Sequence, residues 1–251
     1  MSKVALVTGA SQGIGKAIAE QLASSGALTI VNYSKSHAKA EQVVEEIRRS
    51  GGKAEAICAD ISDEKQVVEM FVRIGEISPK LDYLVNNAGI DLPQKLETYE
   101  VADWRRIFDV NVAGKLLVIK HALPYLKQSS GARVVNVASP LAWRPLAEAS
   151  AYCCSEAAIV MLTKCAALEL APHGIRVNTI CPGFTRTSMN EAIYPDKKFW
   201  QQIAEENPLK RIAEPTDIAN AVMFLLSDQA DYMNGAELTL DGGSSLGART
   251  F

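Results

Sequence analysis

Short apolar, β-branched runs alternate along the chain with longer stretches in which apolar residues recur three and four positions apart. The runs Val4–Val7, Leu28–Tyr33, Ala54–Ala59, Leu81–Asn86, Arg133–Ala138, Arg176–Ile180 and Glu237–Leu240 have strand length and strand composition. Between them, stretches such as Ala38–Arg49 and Glu64–Ile77 carry the apolar stripe of an amphipathic helix. Alternation of this kind predicts βαβ units with right-handed crossovers. The fold class that follows is α/β, with a single doubly wound, seven-stranded parallel sheet of Rossmann type and helices on both faces. No repeat, low-complexity tract or long linker divides residues 1–251, so one domain is expected. The least regular stretch, Phe184–Pro208, carries Ile193, Tyr194, Phe199 and Trp200 after a strand end. It reads as a cap over a site, at about 184–208, or as a helix packed on the body.

The first strand ends in Thr8-Gly9-Ala10-Ser11-Gln12-Gly13-Ile14-Gly15 and runs into Lys16–Glu20, which reads as helix. Strand, glycine turn and helix together suit a dinucleotide. Glycine lets the backbone approach a pyrophosphate, and the open N–H groups of the helix start receive its charge. The turn after the second strand, Asn32-Tyr33-Ser34-Lys35-Ser36, has no carboxylate to hold a ribose 2′-hydroxyl. Ser34 and Lys35 suit a 2′-phosphate instead, so NADP(H) is expected over NAD(H).

Composition narrows the classes. With 48% hydrophobic and 22% charged residues, a formal net charge of −3 and a pI near 5.7, the chain reads as an ordinary soluble protein without the basic footprint that nucleic acid requires. The apolar run after Met1-Ser2-Lys3 is too short for a leader, and no stretch elsewhere reads as a membrane span. The five cysteines, Cys58, Cys153, Cys154, Cys165 and Cys181, are odd in number and form no C-x-x-C pair. A reducing, cytoplasmic setting without a metal site follows. His37, His121 and His173 read as helix ends or helix surface, with no acid beside them in sequence.

The T-G-x-x-x-G-x-G spacing, with the motifs that follow it in order, resembles the short-chain dehydrogenase/reductase family from end to end. The resemblance implies that Gly9, Ser11, Gln12, Gly13, Ile14 and Gly15 cradle the cofactor, and that Asp60 with Ile61 meets the adenine. It implies that Asn87, Ala88 and Gly89, in Asn86-Asn87-Ala88-Gly89, line the adenosine side. Pro182, Gly183, Thr185 and Thr187 would hold the nicotinamide end. Gln12 stands where many NADP-binding members carry arginine. Asn234-Gly235 through Asp241-Gly242-Gly243 resembles the segment used in family tetramers. Trp104–Lys127 and Tyr152–Ala171 correspond to the helices that pair in family dimers. A homotetramer with a small-molecule substrate, and with neither nucleic acid nor membrane as partner, is therefore expected.

The resemblance also places the chemistry and exposes a departure. Ser139 and Tyr152 stand at the family's catalytic serine and tyrosine, and Asn111 at the asparagine of its proton relay. Four residues after Tyr152, where the family has lysine, stands Glu156. A carboxylate can accept hydrogen bonds from ribose hydroxyls, but it cannot lower a phenol's pKa. A unit charge about 5 Å away at an effective dielectric near 20 contributes roughly 3 kcal/mol, or about two pKa units. Replacing a cation by an anion thus raises the Tyr152 pKa by at most about four units, less if a buried Glu156 stays protonated. Alcohol oxidation, which needs a tyrosinate, suffers most, so surviving redox activity leans towards reduction.

Lys115, Lys120 and Lys164 do not have the spacing of the missing lysine, and Cys153 and Cys154 have no histidine beside them to make a thiol nucleophile. Three functions remain open. The first is an NAD(P)H-dependent reductase of a small carbonyl, imine or activated alkene, with Trp143, Leu92, Pro93, Tyr194 and Trp200 as an apolar pocket. The second is a non-redox isomerase, dehydratase or cyclase using Tyr152 and Glu156. The third is a catalytically inactive dinucleotide-binding protein.

Overall fold

The computed structural model describes residues 2–247. Its strands are β1 (Val4–Val7), β2 (Leu28–Tyr33), β3 (Lys53–Cys58), β4 (Tyr83–Asn86), β5 (Arg133–Val137), β6 (Arg176–Pro182) and β7 (Glu237–Leu240). They form one parallel sheet in the order β3-β2-β1-β4-β5-β6-β7. The expected architecture is present, with shifts at strand ends. β4 begins two residues later than the apolar run suggests. β6 runs two residues further, to Pro182, because β7 continues alongside it after β5 has ended. A proline is tolerated where one neighbour has already dropped away.

Helices α1 (Gly13–Ser24), α2 (His37–Arg49) and α9 (Pro215–Leu226) cover one face of the sheet. Ile18, Leu22, Val43 and Ile47 are buried there against β1 and β2, and Val222 and Leu225 against β5 and β6. On the other face, α3 (Glu64–Ile77), α5 (Lys115–Leu126) and α6 (Ser150–Leu170) bury Met70, Ile74, Val118, Leu126 and Leu170 against the opposite side chains of the sheet. Burial on both faces is why the strands read as continuous apolar runs rather than as alternations.

Two features of this second layer position the site. Between α4 (Val101–Phe108) and α5, residues Asp109–Gly114 form a π-helical turn, a widening that recurs at functional sites. Gly114 closes that turn against Ile61, where an added Cβ would come within 2.8 Å of Ile61 Cγ1. Helix α6, continued by a short turn to His173, is long and apolar enough over Ser150–His173 to cross a membrane by length and composition. That corrects the expectation that no such span exists. Alanine and cysteine raise its hydropathy without forming a continuous run of large apolar residues, and half of its most apolar stretch is buried inside the fold.

The segment after β6 folds into α7 (Ser188–Ile193) and α8 (Lys197–Glu206), capped by Thr187 and Asp196. Its aromatics pack on one another: Phe184 and Trp200 have centroids 5.1 Å apart, Tyr194 and Phe199 4.5 Å. Two of the three histidines have an acid beside them in the fold, and His37 Nδ1 lies 4.0 Å from Glu41 Oε1 one turn along α2. The Nε2 of His121 lies 3.1 Å from Glu64 Oε1, a neighbour brought by the packing of α5 on α3.

Candidate active site

The chain reverses its direction of sheet building between β1 and β4, which leaves a crevice at the carboxyl ends of the strands. A cleft of about 1480 Å³ occupies it. Of the sequence-predicted residues, Gly9, Ser11, Gln12, Gly13, Ile14, Ser34, Lys35, Asp60, Ile61, Asn87, Ala88, Gly89, Ser139, Tyr152, Glu156, Pro182, Gly183, Thr185 and Thr187 all line it. Gly15 and Asn111 do not. Gly15 serves the packing of α1, since a Cβ there would meet both Asn87 Nδ2 and Gly9 O at 2.5 Å. Asn111 sits fully buried behind the cleft wall.

The glycine turn is shaped by hydrogen bonds that leave its outer face open. Thr8 Oγ1 accepts from the N–H groups of Asn87 and Ala88, and Asn87 Nδ2 donates to Thr8 O and Gly9 O at 3.0 and 3.1 Å. Gly9 has φ +62°, and its hydrogen faces Ala88 Cα so closely that a Cβ would approach to 2.9 Å. The Gln12 side chain does not cap α1, so the first-turn N–H groups of that helix open onto the cleft. An uncapped helix start and an accessible glycine backbone fit a pyrophosphate.

At the β2 end, Ser34 and Lys35 line the cleft together with Asn32, Tyr33 and Ser36. Lys39, from the first turn of α2, donates to Gln12 Oε1 at 2.7 Å and so brings a cation beside the glycine turn. No motif marks Lys39 in the sequence. Asp60 is held by Ser62 and by Arg106, whose Nη2 lies 3.0 Å from Asp60 Oδ2. These donors outweigh its partial burial and keep its carboxyl below the usual range. Arg106 itself lines the cleft, delivered by α4 from 46 residues away in sequence.

At the other end, Ser139 follows β5 and Tyr152 rises from the first turn of α6. Burial pushes the Tyr152 phenol well up, the charges of Glu156 and Asp91 add to this, and the Ser139 hydroxyl acts the other way. Glu156 lies one turn further along α6 and is 2% exposed. Burial pushes its carboxyl up to about 7, opposed by Lys115 and assisted by Asp91. Asn111 Nδ2 donates to Glu156 Oε1 at 3.4 Å, to Ser155 Oγ at 3.1 Å and to Ile90 O at 3.0 Å. Asp91, which no motif singles out, lines the cleft with Oδ1 buried and unpaired, and burial raises its pKa.

Sequence spacing misjudged Lys115. It is 2% exposed, lines the same cleft as Glu156, and donates from Nζ to Val137 O at 2.5 Å. Burial lowers its pKa and Glu156 raises it. The proposed apolar pocket also needs correction. Tyr194 lines the cleft, whereas Trp143, Leu92, Pro93 and Trp200 do not. Trp200 turns its Nε1 to Tyr194 O and its ring to Phe184. Leu141, Leu146, Phe184, Met189 and Ile203 take that place. Neither Cys153 nor Cys154 lines the cleft, which removes the support for a thiol nucleophile.

A family model described as enoyl-(acyl carrier protein) reductase matches residues 9–245. The chain is 42% identical over 244 residues to a 3-oxoacyl-(acyl-carrier-protein) reductase FabG of Staphylococcus epidermidis, covering 97% of this chain and 99% of that one. It is 37% identical to a 2,3-dihydro-2,3-dihydroxybenzoate dehydrogenase of Bacillus subtilis, over 98% and 97% of the two chains. Among solved structures it matches a short chain dehydrogenase from Burkholderia cenocepacia in complex with NADP, at TM-score 0.90 and 37% identity over 96% and 97% of the chains. A short-chain dehydrogenase/reductase from Serratia marcescens matches at TM-score 0.91 and 35% identity, over 97% and 98%.

Proposed function

Because the chain belongs to the short-chain dehydrogenase/reductase family of NAD(P)-dependent oxidoreductases, we propose that it is a reductase of a small carbonyl, imine or activated alkene, working with NADPH and an altered proton relay. The observation that carries this reading is the raised pKa of Tyr152 beside Ser139 in the cleft. A phenol that resists ionisation is kept as a proton donor, the form that reduction consumes, and is a poor base for alcohol oxidation.

The dinucleotide, when bound, supplies a hydride to the substrate. The chain supplies the rest. The α1 start and Gly9–Ile14 hold the pyrophosphate, Ser34 and Lys35 with Lys39 behind Gln12 hold a 2′-phosphate, and Pro182–Thr187 holds the nicotinamide end. Ser139 donates to the substrate oxygen while Tyr152 delivers the proton. Glu156 accepts from ribose hydroxyls, and Asn111 steadies it from behind. The cap at about 184–208 closes the apolar lobe through Phe184, Met189, Tyr194 and Ile203. The names of the S. epidermidis and B. subtilis relatives support a ketone or cyclic alcohol-ketone pair as substrate class.

One observation favours a second reading. A carboxyl at about 7 beside a cleft phenol is poised for acid–base chemistry without redox, as an isomerase or dehydratase requires. Titration with NADPH and NADH in a calorimeter, followed by NADPH consumption with a panel of 3-oxoacyl thioesters, cyclic ketones, imines and enones, separates the two. Tight NADPH binding with consumption supports the reductase. NADPH binding with no consumption by any member, and with isomerised or dehydrated product, transfers the assignment to the second reading.

A cytoplasmic homotetramer is the assembly we propose. Leu116 on α5 and Met161 and Leu168 on α6 are exposed and apolar, which supports pairing through those helices. Elution as a monomer at micromolar concentration excludes it.

A further inference from the structure

A buried lysine is costly unless something nearby uses its charge, and Lys115 has one hydrogen-bonded acceptor, Val137 O, for three donors. It reaches the floor of the cleft from the first turn of α5, four residues after Asn111, whose amide touches Glu156. Lys115 and Glu156 are each 2% exposed and line one cavity, yet among the described residues they form no ion pair within 4.0 Å. We propose that Lys115 is a positioning residue for this site: a cation supplied by α5 holds the charge state of Glu156, so that the Lys115–Glu156 couple takes over, from two helices, the corner where the family places one lysine.

The couple explains how an anion is tolerated one turn from Tyr152. A carboxylate there repels the tyrosinate, and a cation behind the carboxylate offsets part of that repulsion. Every titratable neighbour matters to the balance. Asp91, from the segment after β4, opposes ionisation of Glu156, and Tyr152 shares its helix. Cys181 on β6, its thiol pushed up by burial, adds a smaller influence on Lys115, and Glu237 on β7 and Lys164 on α6 act on that thiol in turn. The position of residue 115 changes what a substitution at 156 does. Restoring lysine at 156 alone sets two ammonium groups in one buried site.

This inference rests on the proposed reductase for its catalytic meaning, but its test does not. The carboxyl stretch of Glu156 is followed by infrared spectroscopy against pH, with Glu156→Gln as the blank, in the protein without cofactor. Lys115→Met is expected to move the Glu156 titration up by about one pH unit or more. In parallel, Glu156→Lys is expected to melt well below the starting protein, or not to fold, while Lys115→Met/Glu156→Lys folds and recovers most of the loss. An unmoved Glu156 titration in Lys115→Met overturns the proposal. So does a Glu156→Lys variant as stable as the double variant, or a double variant that does not fold. Absence of carbonyl reduction in every variant strikes the reductase reading alone and leaves the titration result standing.

Discussion

Asn111 and Glu156 meet behind the cleft wall, where the Asn111 amide donates to Glu156 Oε1 at 3.4 Å while its own Oδ1 accepts from Ile90 N at 2.8 Å. The contact joins the π-helical turn to α6 at the residue that departs from the family pattern. An amide N–H can donate to a carboxylate, where the bond is stronger, and also to the carbonyl oxygen of a carboxylic acid. Asn111 therefore fixes where Glu156 sits, while burial, Asp91 and Lys115 decide its charge.

The stability of the protein records that charge. Glu156 titrates at about 7 in the fold against an ordinary 4.5, so the folded state holds its proton more tightly than the unfolded state. Its contribution is full below about 4.5 and is lost as pH rises to about 7. The difference is on the order of 3 kcal/mol at most. Urea unfolding from pH 4 to 8 is expected to show the stability difference between Glu156→Gln and the starting protein growing in the variant's favour across this window. The difference isolates Glu156 from groups such as Asp82, whose lowered pKa acts in the opposite sense at more acid pH. A difference independent of pH contradicts the assignment.

Tyr152→Phe is expected to retain NADPH binding and lose about a hundred- to ten-thousand-fold in reduction rate. With Tyr152 intact, alcohol oxidation by NADP+ is expected to keep climbing with pH past 10, because the phenol is held above its ordinary value. A plateau near neutrality in steady-state oxidation rates counts against this arrangement of charges.

Two cations attend the β2 end of the cleft. Lys35→Ala and Lys39→Ala are each expected to weaken NADPH binding about tenfold, as loss of a charge-assisted contact to phosphate does, and to leave NADH nearly unchanged. Calorimetry with both nucleotides decides. Equal losses for the two nucleotides place these lysines elsewhere on the cofactor.

Gly183 lies against the strand beside it. A Cβ there would come within 2.6 Å of Asp241 Cα, and Gly183 N donates to Leu240 O at 2.8 Å. Gly183→Ala is expected to cost about 1–3 kcal/mol of stability by forcing β6 and β7 apart at their ends. It should also weaken NADPH, since Thr185 and Thr187 shift with the turn. Thermal melts with and without NADPH measure both effects.

The parallel sheet and the residues that line the cleft were legible because strand burial on both faces and glycine turns leave local marks, whereas the strand order was not read from the sequence. Gly9, Asn87 and Tyr152 sit in short motifs whose geometry is set by immediate neighbours. Lys115 left no such mark. A lysine opening an apolar helix reads as solvated surface, and its burial depends on Gly114 seating the helix against Ile61. Lys39 and Arg106 act on Gln12 and Asp60 from distant segments, so only the folded chain pairs them. Of the expected pocket aromatics Tyr194 lines the cleft, and Trp200 does not for a related reason. Trp200 is as bulky as a pocket residue should be, but Phe184 and the Tyr194 carbonyl claim it first.

The widened turn at Asp109–Gly114 carries a constraint on grafting and on alignment. Such a turn holds about one residue more than an α-helical turn. Deleting one residue there would return the backbone to a regular α-helix from Val101 onward and, because the wide turn itself takes up that residue, would leave everything after it in phase. Lys115, Val118 and Leu126 would keep their faces, whereas a deletion in the regular turns of α5 would rotate the residues beyond it by about 100° and take Leu126 out of the core it fills. A chimera that borrows this helix from a relative without the extra residue would keep the phase of α5 but lose the wide turn that carries Asn111 to Ile90, Ser155 and Glu156, so its loss of function would arise from the placement of one amide rather than from the helix behind it.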